Sequence, residues 1–450
     1  MREKLFGTDG VRGVANTELS PTLALELGVA AAKILGQSHT PSFVIGRDTR
    51  ISGSLLEAAL SAGLCSMGAH VVSLGVLSTP GVACIARSGA YDAGVVISAS
   101  HNPFADNGIK FFGGDGYKLD DNIERDIEDL VAQHEMLPRP SGMGVGEITI
   151  DHNKSNVYQD HLREAMAGVR LDGLRVVVDG ANGANCVLAP QVLDSLGASV
   201  TLLNAAPDGM NINAHCGSLY PRQMQDATVA VNAHIGMAFD GDADRVILAD
   251  DLGRAVDGDR VMMIVGKHLA SQRKLKNNVV VGTIMSNMGL EVALRRSGVT
   301  LIRAAVGDRY VSEIMRRHGY SIGGEKSGHL IFGDLTTTGD GLLTALQVLR
   351  VMQETGCPLS VLADEMTEYP QVLLGVKVRD RAAWEKDAEI TKAVARASEL
   401  LSGRGRINVR ASGTEKLVRI MAEGPDQEEI DTIAHEIANL VEKKTGVIAV

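Results

Sequence analysis

Arg175-Val176-Val177-Val178-Asp179-Gly180 opens a stretch that closes on Leu196-Gly197-Ala198-Ser199-Val200. The apolar run reads as a strand, the glycine after it as a turn and the amphipathic stretch that follows as a helix. Gly197 then stops the helix before a second strand. The same order runs from Ser42-Phe43-Val44-Ile45-Gly46 to Met67-Gly68-Ala69-His70-Val71-Val72. It returns a third time from Asn278-Val279-Val280-Val281-Gly282 to Ser297-Gly298-Val299-Thr300-Leu301. Strand–helix–strand units imply a parallel component. Three related α/β domains with mixed sheets, descended from one ancestral unit, are therefore expected; chance recurrence of a common pattern is the competing explanation.

Boundaries follow from loop-forming composition. Pro138-Arg139-Pro140-Ser141-Gly142-Met143-Gly144-Val145-Gly146 ends the first domain, and a helix over 156–166 leads into the second. The chain after Tyr369-Pro370 changes character. Strands are expected at 372–378 and 417–422, with helices at 384–401 and 427–443, which makes a smaller C-terminal α+β domain. The expected domains are 1–150, 151–252, 253–369 and 370–450.

The 450 residues are 45% hydrophobic and 22% charged, ordinary for a soluble globular protein, with a formal net charge of −11. An acidic chain has no general attraction for nucleic acid or for an anionic membrane, so no partner of either kind is expected. An anionic ligand would have to be drawn by local Arg, Lys and backbone amides. The five cysteines are scattered, with no CxxC pair, and are expected as free thiols in a reducing compartment. The N-terminal segment lacks the apolar core of a signal peptide, and no apolar run reaches the length of a membrane span. A cytoplasmic location is the expectation.

Asp240-Gly241-Asp242-Ala243-Asp244-Arg245 sits between two apolar runs, 235–239 and 246–249. Three carboxylates so close repel one another unless a cation lies between them, and oxygen-only ligands suit a hard ion such as Mg²⁺. An EF-hand loop is excluded: its sixth position holds Arg245 instead of glycine, and its twelfth holds Asp251 instead of glutamate. A solvated acidic turn remains the bland alternative.

Ser98-Ala99-Ser100-His101-Asn102-Pro103 follows the apolar run 94–97. A serine at a strand end is well placed as a nucleophile, provided a base or electrophile stands beside it. His101 and Lys110 are the nearest candidates, while a simple capped turn would use the same residues. Arg410-Ala411-Ser412-Gly413-Thr414-Glu415 offers a flexible glycine, two hydroxyls and a guanidinium, with Arg419 nearby. That is a credible phosphate cradle, or else an exposed hairpin turn. Gly323-Gly324-Glu325-Lys326-Ser327-Gly328-His329 gathers a carboxylate, an amine, a hydroxyl and an imidazole, suited to a polyol ligand; a glycine-rich turn is the alternative. Asp179-Gly180-Ala181-Asn182-Gly183 reads as a turn. No Walker loop is present, because His268 follows Gly266-Lys267, and no GxGxxG follows a strand. With no nucleotide site to supply it, the phosphoryl group is expected to reside on the protein.

Together these segments resemble the α-D-phosphohexomutase superfamily along essentially the whole chain. Its phosphoserine, metal, sugar-binding and phosphate-binding loops correspond, in order, to the segments at Ser100, Asp240, Glu325 and Arg410. Phe6-Gly7-Thr8-Asp9-Gly10-Val11-Arg12-Gly13, Gly282-Thr283-Ile284-Met285-Ser286-Asn287 and Val306-Gly307-Asp308-Arg309-Tyr310 are similar to the phosphoglucosamine mutase branch. The branch commonly has prolines where Ala411 and Lys416 stand here, so a looser phosphate loop with its donors intact is expected.

The resemblance implies four domains around a central cleft and the interconversion of glucosamine 6-phosphate and glucosamine 1-phosphate, a step toward UDP-N-acetylglucosamine and cell-wall precursors. It implies phosphate on Ser100 and one Mg²⁺ held by Asp240, Asp242, Asp244 and Ser100. Arg12, His101, Lys110, Arg245 and His329 would assist the chemistry. Gly307, Asp308, Glu325, Ser327, Arg410, Ser412, Gly413, Thr414 and Arg419 would bind a small phosphosugar, with glucosamine 1,6-bisphosphate as the intermediate. A homodimer is left open. The rival functions are a phosphomannomutase/phosphoglucomutase, a catalytically silent phosphosugar-binding regulator and a metal-dependent phosphatase.

Overall fold

The structure is a computed structural model that describes residues 5–7, 9–36, 39–89, 91–380, 382–412 and 416–446. The chain divides into two compact units, 1–285 with 297–365, and 286–296 with 366–450.

The first unit carries three sheets. In the first lie β1 (Val11–Val14), α1 (Pro21–Leu35), β2 (Ser42–Arg47), α2 (Gly53–Ser66), β3 (His70–Val76) and α3 (Thr79–Arg87). β4 (Ala93–Ile97), β5 (Asp106–Gly113), α4 (Asp121–Val131) and β6 (Ile148–Ile150) complete it. The second has α5 (Ser155–Ala165), β7 (Arg175–Asp179), α6 (Asn185–Leu196), β8 (Ser199–Leu203) and α7 (Arg222–Ala230). β9 (Ile235–Phe239), β10 (Val246–Ala249) and the short β11 (Ala255–Val256) follow. The third has α8 (Gly258–Ser271), β12 (Val279–Thr283), α9 (Met288–Arg296), β13 (Thr300–Ala304) and α10 (Asp308–His318). β14 (Ile322–Gly324), β15 (Leu330–Phe332), α11 (Gly341–Thr355) and α12 (Leu359–Ala363) end it. Of these, α9 belongs to the second unit.

One topology recurs in all three sheets, as the repeated sequence pattern suggests. A central strand (β2, β7, β12) pairs in parallel with the next two strands of its sheet. The second of those then turns back into an antiparallel neighbour, giving β4–β5, β9–β10 and β14–β15. Parallel partners need a helical crossover, whereas the antiparallel return needs only a short loop.

The first core packs α1 and α2 closely. Leu27, Leu56, Leu60 and Leu64 are fully buried beside Phe43 and Ile45. Two glycines permit the approach. A Cβ on Gly28 would lie 2.3 Å from the Leu60 carbonyl oxygen, and one on Gly63 would lie 2.1 Å from that of Leu25.

The second unit holds β16 (Gln371–Lys377), α13 (Ala383–Lys386), α14 (Ala388–Leu401), β17 (Arg406–Ala411), β18 (Leu417–Glu423) and α15 (Gln427–Thr445). Its sheet is antiparallel, in the order β16-β18-β17. The helix expected over 384–401 is broken. Asp387 adopts an extended conformation and its side chain accepts hydrogen bonds from the Glu389 and Ile390 amides, so it caps α14 and ends α13. The unit is tied to 286–296 by the Met288 amide, which donates to Glu423 Oε1 at 2.8 Å, and by Arg406 Nη2, which donates to the Ser286 carbonyl at 2.7 Å.

Among the described residues no helix is long and apolar enough to cross a membrane. The five cysteines are free. Burial pushes the Cys186 and Cys216 thiols up to about 12, so neither is a reactive thiolate at neutral pH.

Gly63→Ala should destabilise the first unit by about 1–3 kcal/mol through overpacking against α1. An unshifted melting transition would show that the two helices can separate freely.

Candidate active site

The three antiparallel returns carry the three polar segments of the first unit. Ser98–Ala105 joins β4 to β5, the Asp240 turn joins β9 to β10, and Glu325–His329 joins β14 to β15.

Ser100 is 1% exposed and has φ +53°, a left-handed conformation that costs a serine on the order of 1 kcal/mol. Its Oγ donates to Asp240 Oδ2 at 2.6 Å and lies 3.2 Å from His101 Nδ1. The Asp240 turn approaches the serine loop by virtue of Gly241, where a Cβ would stand 2.6 Å from the Ser100 carbonyl oxygen.

Asp240, Asp242 and Asp244 are all buried, and one oxygen of each lies within 4.8 Å of the others. Asp242 Oδ2 accepts from Thr79 Oγ1 at 2.6 Å and from Lys110 Nζ at 2.8 Å. Thr79 opens α3, so the positive end of that helix also faces Asp242. Asp242 Oδ1 and Asp244 Oδ1 are buried without a hydrogen-bond partner. Burial, then Asp244 and Asp242, push Asp240 far above the usual carboxylate range. Unsatisfied oxygens on crowded, buried acids fit a hard divalent cation.

Cations of the chain itself frame this cluster. Burial opposes the charge on Lys110, but Asp242, Asp9 and Asp244 overcome it and hold the ammonium well above the ordinary lysine value. Lys110 Nζ is 2.8 Å from Asp242 Oδ2 and 2.9 Å from Asp9 Oδ2. Asp9 also pairs with Arg12 and, at 2.5 Å, with Lys118, whose Nζ is 2.5 Å from Asp308 Oδ2. Arg245 Nη1 donates to His101 Nδ1 at 3.1 Å. Burial, then Arg245 and Arg12, depress the His101 pKa and keep the ring neutral.

His329 is 2% exposed, with Nδ1 3.6 Å from Asp244 Oδ2 and Nε2 3.7 Å from Asp308 Oδ2. Burial opposes its charging, and these two carboxylates reverse that and raise its proton affinity. The Gly339 amide nevertheless donates to Nε2 at 3.1 Å, so a doubly protonated ring would have to break that bond. In the sugar-binding segment, Glu325 Oε1 accepts from the Gly307 amide at 3.0 Å, and Ser327 is exposed at the hairpin tip.

The first unit thus brings together Ser100, His101, Lys110, the three aspartates, Arg245, Asp308 and His329. Arg12 joins through Asp9, and Glu325 is tied to the Gly307-Asp308 corner. The cradle residues lie in the second unit. Arg410 and Arg419 stand opposite each other in the β17–β18 register. Burial and then Arg419 depress the Arg410 pKa. Ser412 is buried, with its amide donating to the Leu417 carbonyl at 2.7 Å. Gly413 and Thr414 lie outside the described residues.

Four models of the phosphoglucomutase/phosphomannomutase family match the chain. Its alpha/beta/alpha domains I, II and III match residues 3–137, 156–253 and 257–369, and its C-terminal domain matches 373–440. A phosphoglucosamine mutase of Desulforamulus reducens is 51% identical over 440 residues, covering 97% of this chain and 99% of the relative. One from Symbiobacterium thermophilum is 52% identical over 442 residues, covering 97% and 98%. The chain belongs to the phosphoglucosamine mutase branch of the phosphoglucomutase/phosphomannomutase family. The fold is also that of an Aspergillus fumigatus N-acetylphosphoglucosamine mutase, solved in complex with GlcNAc-6P and magnesium. That match has a TM-score of 0.68 and 18% identity, and covers 99% of this chain and 96% of the other.

Sequence reading did not single out Asp9, Thr79 or Lys118. Asp9 sits inside the quoted branch motif and was available to it. Thr79 was marked only by the Ser-Thr-Pro signature of a helix start. Lys118 carried no local signal.

The acid cluster should bind Mn²⁺, used as a paramagnetic probe, with one site per chain. Asp242→Asn should weaken that binding about 10-fold or more. Equal Mn²⁺ titrations for the variant and the unaltered chain would remove Asp242 from the cation site.

Proposed function

We propose that the chain interconverts glucosamine 6-phosphate and glucosamine 1-phosphate, with Ser100 as the residue that carries phosphate between turnovers. The observation that supports this best is the buried Ser100 hydroxyl, 2.6 Å from an acid of the cation cluster. The serine and the three aspartates would hold a Mg²⁺ ion, which supplies neutralisation of charge on the phosphoryl group when bound.

The chain's own residues account for the rest. Arg410, Ser412 and Arg419, with Gly413 and Thr414, bind the phosphate already on the sugar. Glu325, Ser327, Gly307 and Asp308 hold the sugar. The P–O bond to Ser100 breaks as the free sugar hydroxyl forms a new one and gives up its proton. The product of this half is glucosamine 1,6-bisphosphate, and Ser100 takes the hydroxyl proton back. After the bisphosphate has turned end for end, the Ser100 oxygen gives up its proton and attacks the other phosphate. The P–O bond to the sugar breaks, the sugar oxygen takes a proton, and Ser100 returns to its phosphorylated state. Lys110, Arg12 and Arg245 act as fixed cations around the moving charge. Against burial, Asp242, Asp9 and Asp244 raise the proton affinity of Lys110, and a cation held by the same acids would offset that hold, so Lys110 stands with two imidazoles as a group able to move a proton. His101 and His329 are the imidazoles able to move a proton. Burial of Ser100 keeps water from the phosphoserine.

The serine loop belongs to a domain at 1–150, the metal loop to 151–252, the sugar-binding loop to 253–369 and the cradle to 370–450. A homodimer in a cytoplasmic setting is compatible with this function.

Coupled assays with the 6-phosphates of glucosamine, glucose and mannose test the assignment. Preference for either of the last two would overturn it. Ser100→Ala should lower turnover by about 10⁴-fold or more. Arg410→Ala should weaken binding of the phosphosugar by about 10- to 100-fold, the loss of a charge-assisted hydrogen bond.

A further inference from the structure

Arg50 lies on the segment between β2 and α2, and its side chain is fully buried. A guanidinium has five N–H donors in a fixed fork, and here each has an oxygen. Nε donates to Asp48 Oδ2 at 2.8 Å. Nη2 donates to the carbonyls of Ser100 at 2.9 Å and Asn102 at 2.8 Å. Nη1 donates to the carbonyls of Asp106, at 3.0 Å, and Pro103. Four of the five acceptors are backbone carbonyls of the serine loop or its exit into β5.

The counter-ion continues the arrangement. Asp48 is also fully buried, and its Oδ1 accepts from the Arg50 amide at 3.0 Å. Ser98 Oγ donates to Asp48 Oδ2 at 2.6 Å and accepts from the Ser100 amide at 2.9 Å. Asn213 Nδ2 adds a second donor, at 2.9 Å, to the Ser100 carbonyl. The peptide groups on both sides of Ser100 are therefore held while its backbone is at φ +53°. An L-residue keeps that conformation only where the surroundings over-determine it.

We propose that Arg50, with Asp48 and Ser98, is a positioning residue that sets the direction of the Ser100 hydroxyl by clamping the peptides on either side of it. The inference rests on Ser100 being the phosphate carrier. Relaxing the clamp lets residue 100 return to an ordinary backbone region and swings Oγ away from Asp240. Displacement of a reacting atom on this scale costs about 100-fold in rate.

The test uses the full chain with Arg50→Lys, which keeps the charge but loses the fork, and Ser98→Ala, which keeps the ion pair and carries the test should Arg50→Lys fail to fold. Single-turnover transfer of phosphate from glucosamine 1,6-bisphosphate to Ser100 is followed by intact mass. Mn²⁺ and glucosamine 6-phosphate binding are measured beside it, together with amide hydrogen exchange across 98–106. The expected result is transfer slowed about 100-fold, Mn²⁺ binding weakened because Ser100 is one of the proposed ion ligands, a glucosamine 6-phosphate dissociation constant within about two-fold of that of the unaltered chain, and exchange accelerated over 98–106 alone. Unchanged transfer in a folded variant, or unchanged exchange, overturns the proposal. So does parallel loss of transfer, glucosamine 6-phosphate binding and global melting temperature, because that marks a structural role only. Failure of the unaltered chain to take up phosphate counts against Ser100 as carrier, and the exchange measurement still decides the clamp.

Discussion

Three carboxylates buried on one six-residue turn are the constraint around which the first unit is arranged. Removing a charge from water is costly unless a partner repays the loss of hydration. The chain answers with alternation: Asp242, Lys110, Asp9, Lys118 and Asp308 form a line in which each charge touches the opposite sign. Arg12 and Arg245 flank it. Breaking the line at Lys110 would leave the buried Asp242 uncompensated, a larger penalty than the net value of the pair. Two oxygens of the cluster still have no hydrogen-bond partner, and these are the ones a metal ion can take.

The shared topology explains why the polar loops stand where they do. In each of the three sheets the third strand of the pattern is buried, and it turns back sharply into an antiparallel neighbour. Both ends of the turn are then held by paired backbone, so its side chains have little freedom. β4 and β9 are buried at every position, and they deliver Ser100 and Asp240 onto the same point. A fold built by repeating one unit thus supplies equivalent rigid turns, and different side chains placed on them give different chemistry.

Much of this was legible in the chain. The central strands are runs of valine, isoleucine or phenylalanine bounded by glycine, and burial on both faces leaves such runs little other choice. Alternating aspartates between apolar runs read as an acidic loop between strands, with a hard cation as the reason for the crowding. Helix continuity over 384–401 was misread because the apolar spacing persists through Asp387, while the capping geometry that breaks the helix is a property of one side chain. Lys118 was illegible for a different reason. Its partners, Asp9 and Asp308, lie 109 and 190 residues away in sequence, and no local pattern encodes such contacts. Arg50 stands near an aspartate, as arginines often do; that it spans four carbonyls emerges only when β2 and β4 are aligned.

The second unit inverts the electrostatic problem. Arg410 and Arg419 face each other across neighbouring strands, and like charges directly opposed in a sheet are destabilising. Burial makes the Arg410 charge costlier still. On the proposed function, an anion placed against both guanidiniums would gain charge-assisted hydrogen bonds from each. A chain of net charge −11 repels anions at long range, so the proposed affinity for phosphate would have to come from local cations. On that proposal, preference for a negatively charged ligand comes from two guanidiniums that the sheet register sets opposite each other.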